Sequence, residues 1–399
     1  MKELEANLWK ILLIRAIHMG LLMMPVIVVF WRGLGLGLSD IFALQVAFSV
    51  VMSIFEIPSG YLADILGRRR VLVFAYLLLC GGFSIFAFSS TFWGFVFGDV
   101  LLGIGVAFVS GTDMTLLFDT LKALGRETEF APYQGRFVFY GQLSEAGAAL
   151  IGGWLGGISI RLPLYVYSVQ ILFAAMLAFR LVEPPRETFA RDAGHKENVS
   201  NIWRHVSRKP LLGPFLIFFS ILGGSSLTAV WMYQEHWKSM DIPIVWFGPL
   251  WAAINLTVAF SARFAAPLRE KIGREKALLL LPCLPAIGFM GMSLLPGLAG
   301  AACAGFIQMT RGFVAVWGND EVNRLTGSEM RATVNSISSG TVRIVFCTVG
   351  LAAGMYADAA GIRAAFFACA FIFSAGAAAT LWNIRRAQRA HLRAYAGAA

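Results

Sequence analysis

Charged side chains are scarce in this sequence. They make up 14% of its 399 residues, where a water-soluble chain carries roughly a quarter. A chain of this size with so few charges lacks the polar coat that would keep it in water. Cysteine is sparse too. The five (Cys80, Cys283, Cys303, Cys347 and Cys369) all fall inside apolar runs. They lack the paired spacing of a metal site or a disulfide framework and read as small packing residues. The five histidines, at positions 18, 195, 205, 236 and 391, are scattered, so neither a metal cluster nor a nucleophile–base pair of an intramembrane enzyme emerges. Enzymatic activity is not expected. The glycine-rich stretches 33–37, 103–105 and 152–157 have no lysine and Ser/Thr of a phosphate loop and suit close helix packing instead. Without a nucleotide-binding domain, no cofactor is expected, and an ion gradient or the substrate's own gradient must supply the energy for any transport. The alternation that a membrane β-barrel requires is missing as well.

Long apolar runs are what the chain has. Hydrophobic residues reach 58%, in repeated runs of about 20 residues, the length of helix that crosses a bilayer core. Twelve spans are expected, roughly 8–31, 40–62, 70–91, 93–118, 134–157, 162–182, 211–233, 244–266, 277–297, 298–322, 332–356 and 362–384. The fold class is an all-α membrane protein. Connections are short except for the Pro- and charge-rich segment 183–210, which reads as a linker. The expected domains are a six-helix bundle over 1–182, a linker over 183–210, and a six-helix bundle with its tail over 211–399. Within the linker, NIWRHVSR (201–208) has the pattern of a short amphipathic surface helix. The first residues, MKELEANLWK, read as a lead-in to the first span rather than a cleaved signal. With the N-terminus inside, 24 of the 33 Lys and Arg fall in inner segments and four in outer loops. The positive-inside bias therefore puts both ends in the cytoplasm. It also explains the net charge of +10, so nucleic-acid binding is not needed to account for the basicity.

The two halves repeat. GYLADILGRRRVL (60–72) follows span 2, and APLREKIGREKAL (266–278) follows span 8. An offset of 206 pairs Asp64 with Glu270, Gly67 with Gly273, Arg68 with Arg274 and Arg70 with Lys276. Such a repeat marks a transporter made from two parallel halves. The first copy, with glycine, acid, glycine and a basic run, resembles the signature loop between helices 2 and 3 of the major facilitator superfamily, and the chain is nearest in flavour to its drug and solute exporters. It departs from the family where the helix-4 signature opens with arginine, here Gly98-Asp99-Val100. It departs again where the antiporter signature in helix 5 carries Gly-Pro, here Ala148-Ala149-Leu150-Ile151. The resemblance implies alternating access around a central cavity lined by spans 1, 4, 7 and 10, and a conformational latch in the signature loop. It implies a small-molecule substrate in the lipid bilayer of a plasma membrane, the bacterial inner membrane. A monomer suffices for this architecture. The expected activity is proton-coupled export of an amphipathic or organic-anion-like compound, with symport or uniport uptake as the alternative.

The latch expected from the motif comprises Gly60, Asp64, Gly67 and Arg68 with Asp119, and a second copy of Glu270 and Arg274 with Asp320 or Glu321. Glu56 and Arg263, at nearly matching positions in the two halves, join it as gate or helix-pairing residues. Ionisable groups inside spans cost on the order of 2.5–3.5 kcal/mol each on insertion scales, so each needs a reason. The deepest are Glu145, Arg311 and Arg343. Together with Arg15, His18, Asp113, Tyr233 and Gln308 they are the candidates for substrate binding or proton coupling. Pairing among themselves, purely to hold helices, is the competing reading.

Overall fold

The computed structural model describes residues 2–185, 209, 211–326 and 330–396. Every regular element among them is helical. Among the described residues, ten helices or helix pairs are long and apolar enough to cross a membrane, matching expected spans 2–4 and 6–12. The other two expected spans are also helical, each with a local reason for being weaker. Span 5 is α6 (Phe130–Ile158), diluted by Gln134, Arg136, Gln142, Ser144 and Glu145. Span 1 is not one helix. It is α1 (Lys2–Met19) and α2 (Ile27–Gly33), separated by an irregular stretch over 20–26. Gly20 and Pro25 explain the break, since proline has no N–H to donate and disfavours helix in the residue before it. The surface helix expected over 201–208 lies outside the described residues.

The helices form two compact units. The first comprises Met1–Phe189 with Asp241–Ala252, and the second Ala190–Met240 with Ala253–Ala399.

In the first unit, α3 (Leu38–Leu66), α4 (Arg68–Phe88), α5 (Phe92–Ala123) and α7 (Leu162–Phe179) join α1, α2 and α6. α4 and α5 meet on a glycine face: a Cβ at Gly82 would lie 2.7 Å from Leu102, and one at Gly105 would lie 2.8 Å from Leu79. Small residues are what allow helices to approach this closely in lipid. The break after α1 leaves the His18 carbonyl without a main-chain partner among the described residues, and side chains of α6 and α7 bind it and the carbonyls around it. Ser144 donates to Ala16 O at 2.6 Å, Gln170 to Ile17 O and Gly20 O at 2.8 and 3.0 Å, and Tyr167 to His18 O at 2.7 Å. A membrane helix can stop in mid-span only when such partners are supplied.

In the second unit, α8 (Leu212–Ser239) is the most buried element, two-thirds of its apolar window being enclosed. Around it stand α9 (Phe247–Ile272), α10 (Arg274–Leu294), α11 (Gly297–Phe313), α12 (Asn319–Leu325), α13 (Arg331–Val345), α14 (Leu351–Ala360) and α15 (Ile362–Ala396). The core joins Phe215, Phe219 and Leu222 of α8 to Leu281, Phe313, Trp317, Leu381 and Ile384. A single π-helical turn links α11 to α12 (Val314–Gly318), and another links α13 to α14 (Phe346–Gly350).

Side-chain contacts fix the register between neighbours. α9 runs along α11 with Thr257 beside Gly305, Ser261 beside Gly312, and Trp317 Nε1 donating to Ala265 O at 2.8 Å. α8 meets α13 where Ser220 and Thr341 share a 2.6 Å hydrogen bond and where Gly224 abuts Val345. It meets α11 where Ser226 donates to Gln308 at 3.1 Å and where Phe219 touches Gly318.

Candidate functional site

Three groups of polar residues stand out from the apolar background. The first lies inside the first unit. The last turn and a half of α1 carries Arg15 and His18. The Arg15 guanidinium sits 4.6 Å over the ring of Phe137 from α6, and its Nε is buried without a hydrogen-bond partner among the described residues. A Cβ at Gly141 would lie 3.1 Å from that Nε, so the glycine makes room for the arginine. The His18 ring stands edge-on to Tyr76 of α4, 5.6 Å between centroids, with Nδ1 buried and unbonded among the described residues. Asp113 of α5 is 8% exposed, and its carboxylate accepts the Met114 N–H at 2.6 Å. Arg15, Tyr76 and Asp113 line one small pocket, walled by Ile11, Ile14, Leu72 and Phe137. A cation, a phenol and a carboxylate thus face one small space lined by hydrocarbon, where low dielectric strengthens every charge interaction. This brings together three of the expected residues, Arg15, His18 and Asp113. Glu145 is not among the residues lining that pocket; it is half-buried on α6, one turn on from Gly141. Asp99, also on α5, is 2% exposed with one carboxylate oxygen unpartnered among the described residues.

The second group is in the second unit. Gln308 donates to the Tyr233 hydroxyl at 3.4 Å and accepts from Ser226 at 3.1 Å, and Tyr233 stacks on Trp237. Tyr233 is fully buried and Gln308 nearly so. Both therefore sit inside the helix packing rather than on a cavity wall. The arginines differ: Arg263 and Arg311 are exposed, and Arg343 is half-buried. α13 also turns Asn335, Ser336 and Ser339 outward. Polar side chains on the outside of a membrane helix belong against water, not lipid.

The third group is the signature loop and its repeat. Gly67 joins α3 to α4 at φ 108°, and Gly273 joins α9 to α10 at φ 85°. Both lie in the left-handed region that a side chain disfavours. Arg68 pairs with Asp119 and donates to Thr115 O at 2.9 Å. Asp64 is 3.8 Å from Arg68, one turn before it. A Cβ at Gly60 would meet nothing within 4 Å, while a Cβ at Gly111 of α5 would lie 3.8 Å from the Gly60 main-chain nitrogen. In the second copy, Arg274 grips Glu321 with two hydrogen bonds of 2.8 and 2.7 Å. Glu270 is exposed. So is its counterpart Asp64. Beside Glu270, Arg269, outside the expected set, pairs with both Asp320 and Glu321. Glu56 stays half-buried on α3, its carbonyl accepting from Ser59 at 2.8 Å.

Residues absent from the sequence-based set also matter. Tyr76 and Phe137 complete the cavity around Arg15, but a lone aromatic within an apolar span carries no distinguishing signal. Glu183 accepts the main-chain N–H of Arg68 and Arg69, both at 2.9 Å. Its place as the first acid after a span is the available clue.

Known proteins fit this picture. A tetracycline resistance protein, class H, from Pasteurella multocida is 24% identical over 253 residues, 60% of each chain. A quinolone resistance protein, NorA, from Staphylococcus aureus is 25% identical over 228 residues, 56% of this chain and 57% of that one. The chain thus spans little more than half the length of these curated relatives. Among solved structures, a mutant of the nucleoside transporter NupG superposes with a TM-score of 0.80 at 12% identity, covering 96% of this chain and 99% of that one. A bacterial homologue of the human lysosomal transporter Spinster superposes with a TM-score of 0.76 at 15% identity, covering 97% and 98%. At these identities the likeness establishes the fold alone. The model of the Major Facilitator Superfamily matches residues 11–345, so the chain, with its all-helical membrane fold and repeated signature loop, belongs to that superfamily of transporters.

Proposed function

We propose that this chain is a secondary-active exporter that uses a proton gradient to move an amphipathic or organic-anion-like small compound by alternating access. The six-helix bundles over 1–182 and 211–399 are its two moving parts, joined by the linker 183–210. It works as a monomer in a bacterial inner membrane with both ends cytoplasmic. Direction is supported by the relatives, which are named for resistance to tetracycline and to quinolones.

The observation that carries the coupling is the cavity shared by Arg15, Tyr76 and Asp113. A buried carboxylate facing a half-buried cation has two states, charged and paired or neutral and released. Each state favours a different neighbouring geometry, as a two-state switch requires. Asp113 is therefore the leading proton carrier, with Glu145 second. Arg68–Asp119 and Arg274–Glu321 serve as the latches that the two states exchange.

A thermal-shift screen of purified protein across drugs, amino acids, sugars and organic acids identifies a substrate. Proteoliposomes with an imposed pH gradient then test coupling. Asp113→Asn should abolish gradient-driven accumulation while leaving substrate exchange without a gradient intact. Undiminished accumulation by Asp113→Asn and by Glu145→Gln would sink the coupling assignment. The second reading, uptake by symport or uniport, has support in the nucleoside and D-xylose–proton transporters that share the fold. Right-side-out vesicles acidified on their outer face separate the two: uptake fills them with substrate, and export keeps them empty.

A further inference from the structure

Three arginines lie mid-span in the second unit, on three different helices, and the register contacts place them at one depth. On α11, Gly312 abuts Ser261 and Ala262 of α9, which puts Arg311 within about one helical turn of Arg263 along the bundle axis. On α8, the contacts Ser226–Gln308 and Phe219–Gly318 run antiparallel to α11. Interpolating between them sets Arg311 level with Gly224. Gly224 abuts Val345, and its neighbour Gly223 abuts Val342, so Arg343 is at that same level. The three cations form one tier.

Two of them face outward with no acid supplied by their own helix. Along α9 and α11 no Asp or Glu occurs within six residues of Arg263 or Arg311. The nearest, Glu270, is seven positions from Arg263, about 10 Å along the helix. Arg269 and Arg274 already hold Asp320 and Glu321 at the helix ends. Arg263 and Arg311 are exposed, and an arginine turned toward hydrocarbon is expensive, so this face meets water.

A second feature flanks the tier. The π-helical turn after α11 opens at Val314, three residues beyond Arg311, and the turn after α13 opens at Phe346, three residues beyond Arg343. Such turns are rare and concentrate at functional sites. Because α11 and α13 run in opposite directions, the two turns lie on opposite sides of the tier, one just beyond each arginine. On the α9 side of the tier, Phe260 and Phe264 are exposed and stack on each other. On the α13 side, Ser336 and Ser339 are exposed.

The geometry points to an anion-binding tier: Arg263, Arg311 and Arg343 take the carboxylate of an amphipathic organic acid, whose apolar body lies against Phe260 and Phe264. This assigns Arg263 to substrate rather than to a gate. It names the substrate class of the transporter proposed above and rests on that reading.

A matched ligand series tests it on the full chain in phosphatidylcholine nanodiscs, which contain no anionic lipid. Equilibrium dialysis with 1-naphthoate, 1-naphthylmethanol and 1-naphthylmethylammonium holds the aromatic body fixed and varies only the charge. The expected order is naphthoate tightest, by about tenfold over the alcohol, with the ammonium weakest. Arg263→Gln, Arg311→Gln and Arg343→Gln should each weaken naphthoate by about tenfold and leave the alcohol unchanged, while the Lys variants recover part of the loss. The tier is overturned by absence of naphthoate binding up to millimolar concentration, by equal or tighter binding of the alcohol or the ammonium, or by an Arg263→Gln protein that binds naphthoate as wild type does. Should a variant fail to fold, the wild-type series decides alone. Transport separates this idea from its parent. Naphthoate that binds but is not moved by a pH gradient defeats the coupled-export reading and leaves the tier standing. Gradient-driven export of the ammonium compound, with naphthoate ignored, does the reverse.

Discussion

Glu183 caps the helix that begins at Arg68: its two carboxylate oxygens accept the N–H groups of Arg68 and Arg69, both at 2.9 Å. The stretch that follows α7 is thereby tied to the signature loop within the first unit. A carboxylate at a helix N-terminus meets both unsatisfied donors and the positive end of the helix dipole. Glu183→Gln keeps one acceptor and loses the charge. It should destabilise the purified protein by about 1 kcal/mol, and Glu183→Ala should do so by more, measured by thermal unfolding in detergent.

The two signature-loop glycines are required by their backbone, whereas Gly60 is not. Gly67→Ala and Gly273→Ala force a side chain into left-handed geometry and should each cost roughly 1–2 kcal/mol. A methyl at position 60 meets nothing within 4 Å, so Gly60→Ala should leave the melting temperature of the resting protein unchanged or slightly raised. Comparing the three alanine variants side by side checks this.

Glu321 is the hub of the second latch. Its side chain is 4% exposed and serves both Arg269 and Arg274. Glu321→Gln leaves two arginines facing a neutral amide in a shielded place and should cost about 3–5 kcal/mol. The Arg385–Glu275 pair, 3.3 Å apart, is far more open to solvent, and Arg385→Ala should change stability by about 0–1 kcal/mol. Melting curves of the two variants that differed little from each other would contradict this ranking.

The turn between α5 and α6 responds to acid. Arg126 binds the Glu129 carboxylate with two hydrogen bonds of 2.6 and 2.7 Å, and these hold the Glu129 carboxyl below its usual range. A depressed carboxylate stabilises the folded turn above its unfolded pKa, and that contribution disappears as pH falls through the folded one. Hydrogen exchange at 126–130 should therefore hold steady, relative to its intrinsic rate, down to the ordinary carboxylate range and quicken below it. Glu129→Gln should show the fast behaviour at all pH values.

Much of this architecture is legible from the residues, and the illegible parts have physical causes. Span lengths, the repeat at an offset of 206 and the pairing of Arg68 with Asp119 follow from hydropathy, glycine position and charge. The break in span 1 is written as Gly20 and Pro25, but apolar residues run through it and hydropathy does not see it. Arg269 joins the second latch unannounced by the repeat, because successive residues on a helix point about 100° apart, finer than a charge pattern resolves. Arg15, His18 and Asp113 stand out in the sequence only as isolated charges. The folded chain alone brings Tyr76 and Phe137 beside them, since no spacing rule links residues on α1, α4 and α6. The polarity of Tyr233 and Gln308 points to a cavity wall, yet they satisfy each other inside the packing.

The interrupted first span has a consequence for how the protein is made. The carbonyl of His18 is satisfied by Tyr167, 149 residues later in the chain, and that of Ile17, which otherwise has only the Gly20 N–H at 3.3 Å, by Gln170, 153 residues later. At a ribosomal pace of about 5–20 residues per second, those partners emerge roughly 7–30 s after the segment they serve. During that wait the nascent segment must shelter its bare oxygens in a hydrated channel, or stay coiled through the gap and unwind once the later helices arrive. Stalling translation before residue 167 should therefore trap a precursor whose first crossing differs in shape from that of the finished molecule.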